Sequence, residues 1–139
     1  MITAVRYYSR TGNTKAIAEQ IAGAAGCTAE SIEMPLEEGT DLLFLGGGVY
    51  WGKIPKELKE YVKSLSPQKV RRVAVFATAD VLDITCKIYQ DYLRHHDIKV
   101  MKDTYFCNCK KVNDVENQKK IADFAKKVME EVSLITSHV

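Results

Sequence analysis

The stretch ITAVRYYSRTGNTKAIAEQIAGAA, Ile2 to Ala25, reads as a strand, a loop and a helix in immediate succession. Ile2 to Tyr8 is an apolar run with β-formers. Lys15 to Ala25 carries Ile17 and Ile21 one turn apart among alanines, and the pattern ends near Gly26. Between the two lies SRTGNT, Ser9 to Thr14, with three hydroxyls and a glycine where a plain turn would do. Such a loop stands at the carboxyl end of a strand and the amino end of a helix, where free amides and the helix dipole attract anions. The hydroxyls of Ser9, Thr11 and Thr14 add donors, and Gly12 allows close backbone approach. The expectation is a phosphate cradle that needs neither lysine nor metal.

The rest of the chain repeats the alternation. Thr28 to Met34 is a weaker strand, and DLLFLGGG, Asp41 to Gly48, is the nearly continuous apolar run of a buried parallel strand. A helix is expected from Pro55, with Leu58, Tyr61, Val62 and Leu65 on its inner face and Ser66-Pro67 as its stop. Val70 to Thr78 is the fourth strand. Asp83 is placed to cap a third helix whose face holds Ile84, Ile88, Tyr92 and Leu93. Ile98 to Phe106 is expected as the last strand. Asn113 then caps the final helix with Glu116 as a capping-box partner, its inner face being Ile121, Phe124, Ala125, Val128, Met129 and Val132. Alternating strands and helices imply an α/β fold, a doubly wound five-stranded parallel sheet of order 2-1-3-4-5 with helices on both faces. Only PLEEGT separates the second and third strands. A parallel crossover needs about a dozen residues, so the helix expected there is very short or absent.

The 139 residues suit a single domain, 1–139. Twenty basic and 18 acidic residues leave a formal charge of +2, which argues against a basic stripe for nucleic acid. The lysines alternate with glutamates on helical faces, as in KELKEYVK, and read as solvated. No run approaches the roughly 20 apolar residues of a membrane span, and MITAVRYYS lacks the apolar core of a signal peptide. A cytoplasmic protein with four free thiols is expected.

Several phosphate-binding families are excluded by their motifs. The chain has no G-x-x-x-x-G-K-[ST] and no G-x-G-x-x-G after the first strand. Its third strand ends in Gly46-Gly47-Gly48 rather than the aspartate of a receiver domain, and its first loop lacks the cysteine of a low-molecular-weight phosphatase. SRTGNT after VRYY, followed by Ala18 and Ile21, instead resembles the phosphate loop of flavodoxins, which bind flavin mononucleotide (FMN). It departs from them at Arg6, where an apolar or aromatic residue is usual.

GGGVYWGKIPKEL, after the third strand, resembles the flavodoxin loop that lays an aromatic residue on the flavin ring. The resemblance implies that Gly48, Val49, Tyr50, Trp51 and Gly52 contact the ring, with Trp51 stacked on it; the glycines would let backbone approach the ring edge. Taken alone, a Tyr-Trp pair is more commonly packing. FATAD resembles the third flavodoxin loop, with Ala77 and Ala79 in place of glycines and Thr78 between them. Asp80 would lie near the pyrimidine side of the ring. The second flanking aromatic is missing from VLDITC, which leaves one ring face open. The implied cofactor-binding set is completed by Ser9, Arg10, Thr11, Gly12, Asn13 and Thr14. Arg10 either faces solvent or adds charge beside the phosphate.

The resemblance implies a flavodoxin-like electron-transfer protein in the cytoplasm, taking electrons from a reductase or ferredoxin and passing them to an acceptor oxidoreductase. The loops hold no evident catalytic acid, base or nucleophile. An FMN-dependent oxidoreductase acting on a quinone or porphyrinogen, and a flavin-free interaction module, are the alternatives. Flavodoxins are strongly acidic, whereas here the charge is balanced and Lys53 follows two residues after Trp51. The expected potential for forming the anionic reduced flavin is therefore less negative than theirs.

Cys107 and Cys109 are half a metal site at most and read as strand packing, with a redox thiol pair as the alternative. No metal is expected. Cys27 and Cys86 read as structural, and His95-His96 as the end of the third helix, where imidazoles meet the negative end of the dipole.

Overall fold

The computed structural model describes residues 1–50, 52–80 and 84–137. Five strands form one sheet: β1 (Thr3–Tyr7), β2 (Ala29–Ser31), β3 (Thr40–Gly47), β4 (Val70–Ala79) and β5 (Tyr105–Asn108). The order is β2-β1-β3-β4-β5, and every pairing is parallel. The helices are α1 (Asn13–Ala25), α2 (Lys56–Ser64), α3 (Thr85–His95) and α4 (Val115–Ser137). Because both sheet faces are covered, central strands are apolar on successive residues. Leu42 and Phe44 face α1 and α4, while Leu43 and Leu45 face α2 and α3, all four fully buried.

No helix links β2 to β3, as the short PLEEGT connection anticipated. Arg6 explains how the sheet tolerates this. Strand alternation puts its side chain on the face of Ala4 and Tyr8, where the crossover helix would lie. The side chain is 8% exposed and donates from Nε to the Met34 carbonyl (3.1 Å), from Nη2 to Pro35 (3.0 Å) and from Nη1 to Val5 (3.1 Å). A buried guanidinium is tolerated because carbonyls satisfy it, and in return it anchors the helix-less connection.

Three expectations shift. The last strand does not run from Ile98 to Phe106. Val100 pairs with Val73 and Tyr105 with Phe76, so three steps along β4 match five on the partner. Polar Lys102 and Asp103 lie in the bulge, and β5 extends on to Asn108. Helix α3 is rolled from its expected face. Cys86, Tyr89 and Leu93 are buried, Ile88 and Tyr92 are half-buried, and Ile84 is 51% exposed. The roll sends Tyr89 beneath Gly47, whose added Cβ would lie 2.6 Å from the tyrosine oxygen. Helix α4 begins at Val115, so Asp114 rather than Asn113 directly precedes it. Its expected inner face is buried apart from a half-buried Met129. The expected α3 cap, Asp83, lies outside the described residues.

Candidate functional site

At the carboxyl ends of the strands, the loops after β1, β3, β4 and β5 surround a cavity of about 370 Å³. It lies at the switch point of the sheet, since the chain leaves β1 toward β2 on one side and β3 toward β4 on the other.

The first loop is held by its own side chains. The Ser9 hydroxyl accepts from the Gly12 amide at 3.0 Å, and Asn13 Nδ2 donates to Thr11 Oγ1 at 3.2 Å. Gly12 adopts φ 92°, a left-handed turn that favours glycine, and α1 starts immediately after it. No side chain caps α1, and its first turn carries no acid. The first-turn amides are therefore left for an anion, without a competing carboxylate. Thr11, Asn13 and Thr14 line the cavity. The Arg10 guanidinium stacks 4.0 Å from the Tyr50 ring centroid, and its Nε donates to the Tyr8 hydroxyl at 3.3 Å. That hydrogen bond raises its pKa further, so its charge is permanent.

The second loop contributes Gly48, Val49, Tyr50 and Gly52 to the cavity. Reciprocal backbone hydrogen bonds between Tyr50 and Lys53, at 2.9 and 3.0 Å, close a tight turn in which Gly52 has φ 74°. The Tyr89 hydroxyl donates to the Gly48 carbonyl at 2.5 Å and fixes where the loop departs. The glycine run serves packing more than approach to a ligand. A Cβ on Gly46 would meet the Phe76 ring at 2.0 Å, and one on Gly47 would meet Leu58 at 2.4 Å. Only Gly48 of the three reaches the cavity. Trp51, expected to stack on the ligand, lies outside the described residues.

In the third loop, Thr78 is buried and its hydroxyl lies 2.7 Å from that of Thr14. Asp80 is exposed at the cavity, and its carbonyl accepts from Asn108 Nδ2 at 2.9 Å. Ala77 faces the core beneath α2 and α3 and does not line the cavity. Its alanine-for-glycine difference is therefore a packing matter.

Three lining residues stand outside the implied cofactor-binding set: Ala79, Thr85 and Cys109. Cys107 is buried on β5, but Cys109 has left the strand for a 3-10 turn, Cys109–Lys111, so the two do not share a strand face. Burial, and secondarily Asp80, push the Cys109 thiol above the ordinary range, and it is neutral at pH 7. The β5 bulge decides which cysteine reaches the cavity, and spacing alone carries no signal of it.

The described geometry is matched by family and structural likeness. A family model for the flavodoxin domain matches residues 4–131. The chain belongs to the flavodoxin family. Membership implies a flavin cofactor, and the residues suit one: an uncapped helix terminus for the phosphate beside a cavity of small-molecule size. Oxidised flavodoxin 2 from Bacillus cereus superposes with a TM-score of 0.74 at 19% identity, over 94% of this chain and 99% of that one. A flavodoxin from the domain Archaea gives 0.70 at 15% identity, over 96% and 99%. Rubredoxin oxygen:oxidoreductase from Desulfovibrio gigas gives 0.74 at 13% identity, over 95% of this chain but 36% of that one. Among curated proteins, none matches the sequence. No helix among the described residues is long and apolar enough to cross a membrane.

Proposed function

We propose that this flavodoxin-family chain binds FMN without a covalent bond and carries electrons between a reductase or ferredoxin and an acceptor oxidoreductase. The observation that carries this reading is the α1 terminus. Its amides are uncapped, Gly12 turns left-handed ahead of them, and the cavity opens directly beside it. The amides of that terminus and Thr11, Asn13 and Thr14 would hold the phosphate. Gly48, Tyr50, Gly52 and Asp80 would border the ring, with Trp51 as its stacking partner. Bound there, the flavin supplies the redox chemistry, and the protein positions it and sets its electrostatics. The cytoplasm suits four free thiols.

Of the three departures behind the flavin-free alternative, Arg6, Ala77 and Ala79, the first two have packing roles, while Ala79 lines the cavity. Arg6 anchors the β2–β3 connection and Ala77 belongs to the core, so neither counts against the cofactor. The enzyme reading is favoured by one observation: VLDITC supplies no aromatic to cover the second ring face.

The test is to add FMN, remove the excess by gel filtration, and record the visible spectrum and tryptophan fluorescence. A retained flavin with quenched emission supports the reading. No retention and no quenching on titration would overturn it. Specific steady-state turnover of a small quinone by the loaded protein would move the enzyme reading ahead of the carrier.

A further inference from the structure

Beside the cavity runs a second depression of about 600 Å³, sharing Gly52 with it. The Tyr50–Lys53 turn therefore separates two sites with different chemistry. The groove has an apolar floor of Ile54, Ile88 and Tyr92 and a basic rim of Lys53, Lys59 and His96. Ile88 and Tyr92 form a stripe of α3 that packs against the edge of the core and stays half-buried at the surface. The Lys59 ammonium lies 5.8 Å from the Tyr92 ring centroid, and Tyr92 and His96 stack at 4.6 Å.

The charges of the groove do not balance. Lys53 and Lys59 make no ion pair among the described residues, whereas Lys56 pairs with Glu60 at 3.9 Å. The one acid lining the groove, Asp91, lies 3.7 Å from Arg94 on its own helix. His95 also lines the groove. An aromatic anchor on an apolar floor, ringed by unpaired cations, is the composition of a protein-docking site that selects an anionic partner. A small anion would use the cations but leave the floor unused.

We propose that this groove docks a small acidic redox protein, which exchanges electrons with the cofactor across the Tyr50–Lys53 turn. The electron exchange rests on the flavin reading; the docking rests on the groove itself. A bound flavin would accept one electron from the partner's reduced centre, which would be oxidised, and no bond in either protein would form or break. The partner's carboxylates face Lys53 and Lys59, and its apolar side chains cover Tyr92 and Ile88.

The experiment uses the full chain after FMN treatment and a fluorescently labelled acidic [2Fe–2S] ferredoxin as probe, read by anisotropy, with basic cytochrome c as the opposite-charge control. Wild type should bind the ferredoxin more tightly than the cytochrome. Affinity should weaken about tenfold when salt rises from ~50 to ~200 mM. The K53E/K59E double variant should weaken ferredoxin binding by about tenfold or more, and Lys126→Glu, on the far face of α4, by less than about twofold. Tyr92→Ala should weaken it with little change in salt dependence. Absence of ferredoxin binding, insensitivity to K53E/K59E, or equal loss in Lys126→Glu overturns the proposal. Anisotropy does not require flavin, and the visible spectrum of the same sample reports it. Groove-dependent binding without retained flavin therefore supports docking and sinks the cofactor reading; retained flavin with groove-independent binding does the reverse.

Discussion

The hydroxyls of Thr14 and Thr78 lie 2.7 Å apart in the buried wall of the cavity and join the first loop to the third. Valine keeps the shape of threonine but cannot make this bond. Thr78→Val should leave the Thr14 hydroxyl unpaired and cost about 1–2 kcal/mol of stability. If the pair also aligns the two loops on the cofactor, FMN should bind several-fold more weakly. Urea unfolding and a fluorescence titration read the two effects separately. The T14V/T78V pair should be less than additive, because either change alone already breaks the bond. Strict additivity would mean the hydroxyls do not support each other.

Glycines of the first loop and of the third strand should fail in different ways. Gly46→Ala and Gly47→Ala drive a methyl into Phe76 and into Leu58 and Tyr89, at 2.0 to 2.6 Å, and should destabilise by about 1–3 kcal/mol or prevent folding. Gly12→Ala meets nothing within 4 Å, but its φ of 92° disfavours a side chain. It should cost only about 1 kcal/mol in stability while weakening FMN binding. Thermal melts and FMN titrations on the three variants check this. Equal FMN loss in Gly12→Ala and a stably folded Gly46→Ala would refute the division.

Arg6→Met removes the donors to the Val5, Met34 and Pro35 carbonyls but keeps much of the side-chain bulk. We expect a stability loss of about 1–3 kcal/mol and FMN affinity within about threefold of wild type. A binding defect without a stability defect would place Arg6 in the site after all.

The exposed Lys53 closes the turn beside the cavity. A cation there favours the negative charge of the reduced flavin, so Lys53→Glu should lower the one-electron potential by roughly 30–60 mV at low salt. The effect should shrink as salt rises. A spectroelectrochemical titration decides; an unchanged potential would remove Lys53 from the electrostatics of the site.

Burial pushes the Cys86 thiol up to about 11, so the folded state holds its proton more tightly than the unfolded chain does. Its contribution to stability is complete below the ordinary thiol range and is lost as pH rises from there through about 11. Tyr61 and Tyr105, both raised by burial to about 12, extend the loss to higher pH. Stability should therefore fall from about pH 9 upward, and Cys86→Ala, though less stable at neutral pH, should fall less steeply there. Parallel alkaline limbs for the two proteins would show that Cys86 does not contribute.

Local signals carried the sheet order and the first loop. Strands buried on both faces must be apolar throughout, as DLLFLGGG is, and their alternation with helices leaves few topologies. Ser9 to Thr14 is self-contained: Ser9 bonds Gly12, Asn13 bonds Thr11, and the helix begins at the next turn. Short-range chemistry of this kind is written in consecutive residues. Tertiary structure decided whatever depends on distant neighbours. Period says which residues share a face, but not how far a helix rolls, so Tyr89 displaced Ile84 from the core. It does not say where a strand bulges, so Cys109 arrived at the cavity unannounced. Nothing local marks Gly46 and Gly47 as packing glycines; Phe76, Leu58 and Tyr89 occupy the space their missing side chains leave. Arg6 looked like a lapse in an apolar strand until the chain turned back and offered it the carbonyls of Met34 and Pro35. Each of these depends on which atoms meet across the sheet, and strand register and helix packing settle that only once the whole core is assembled.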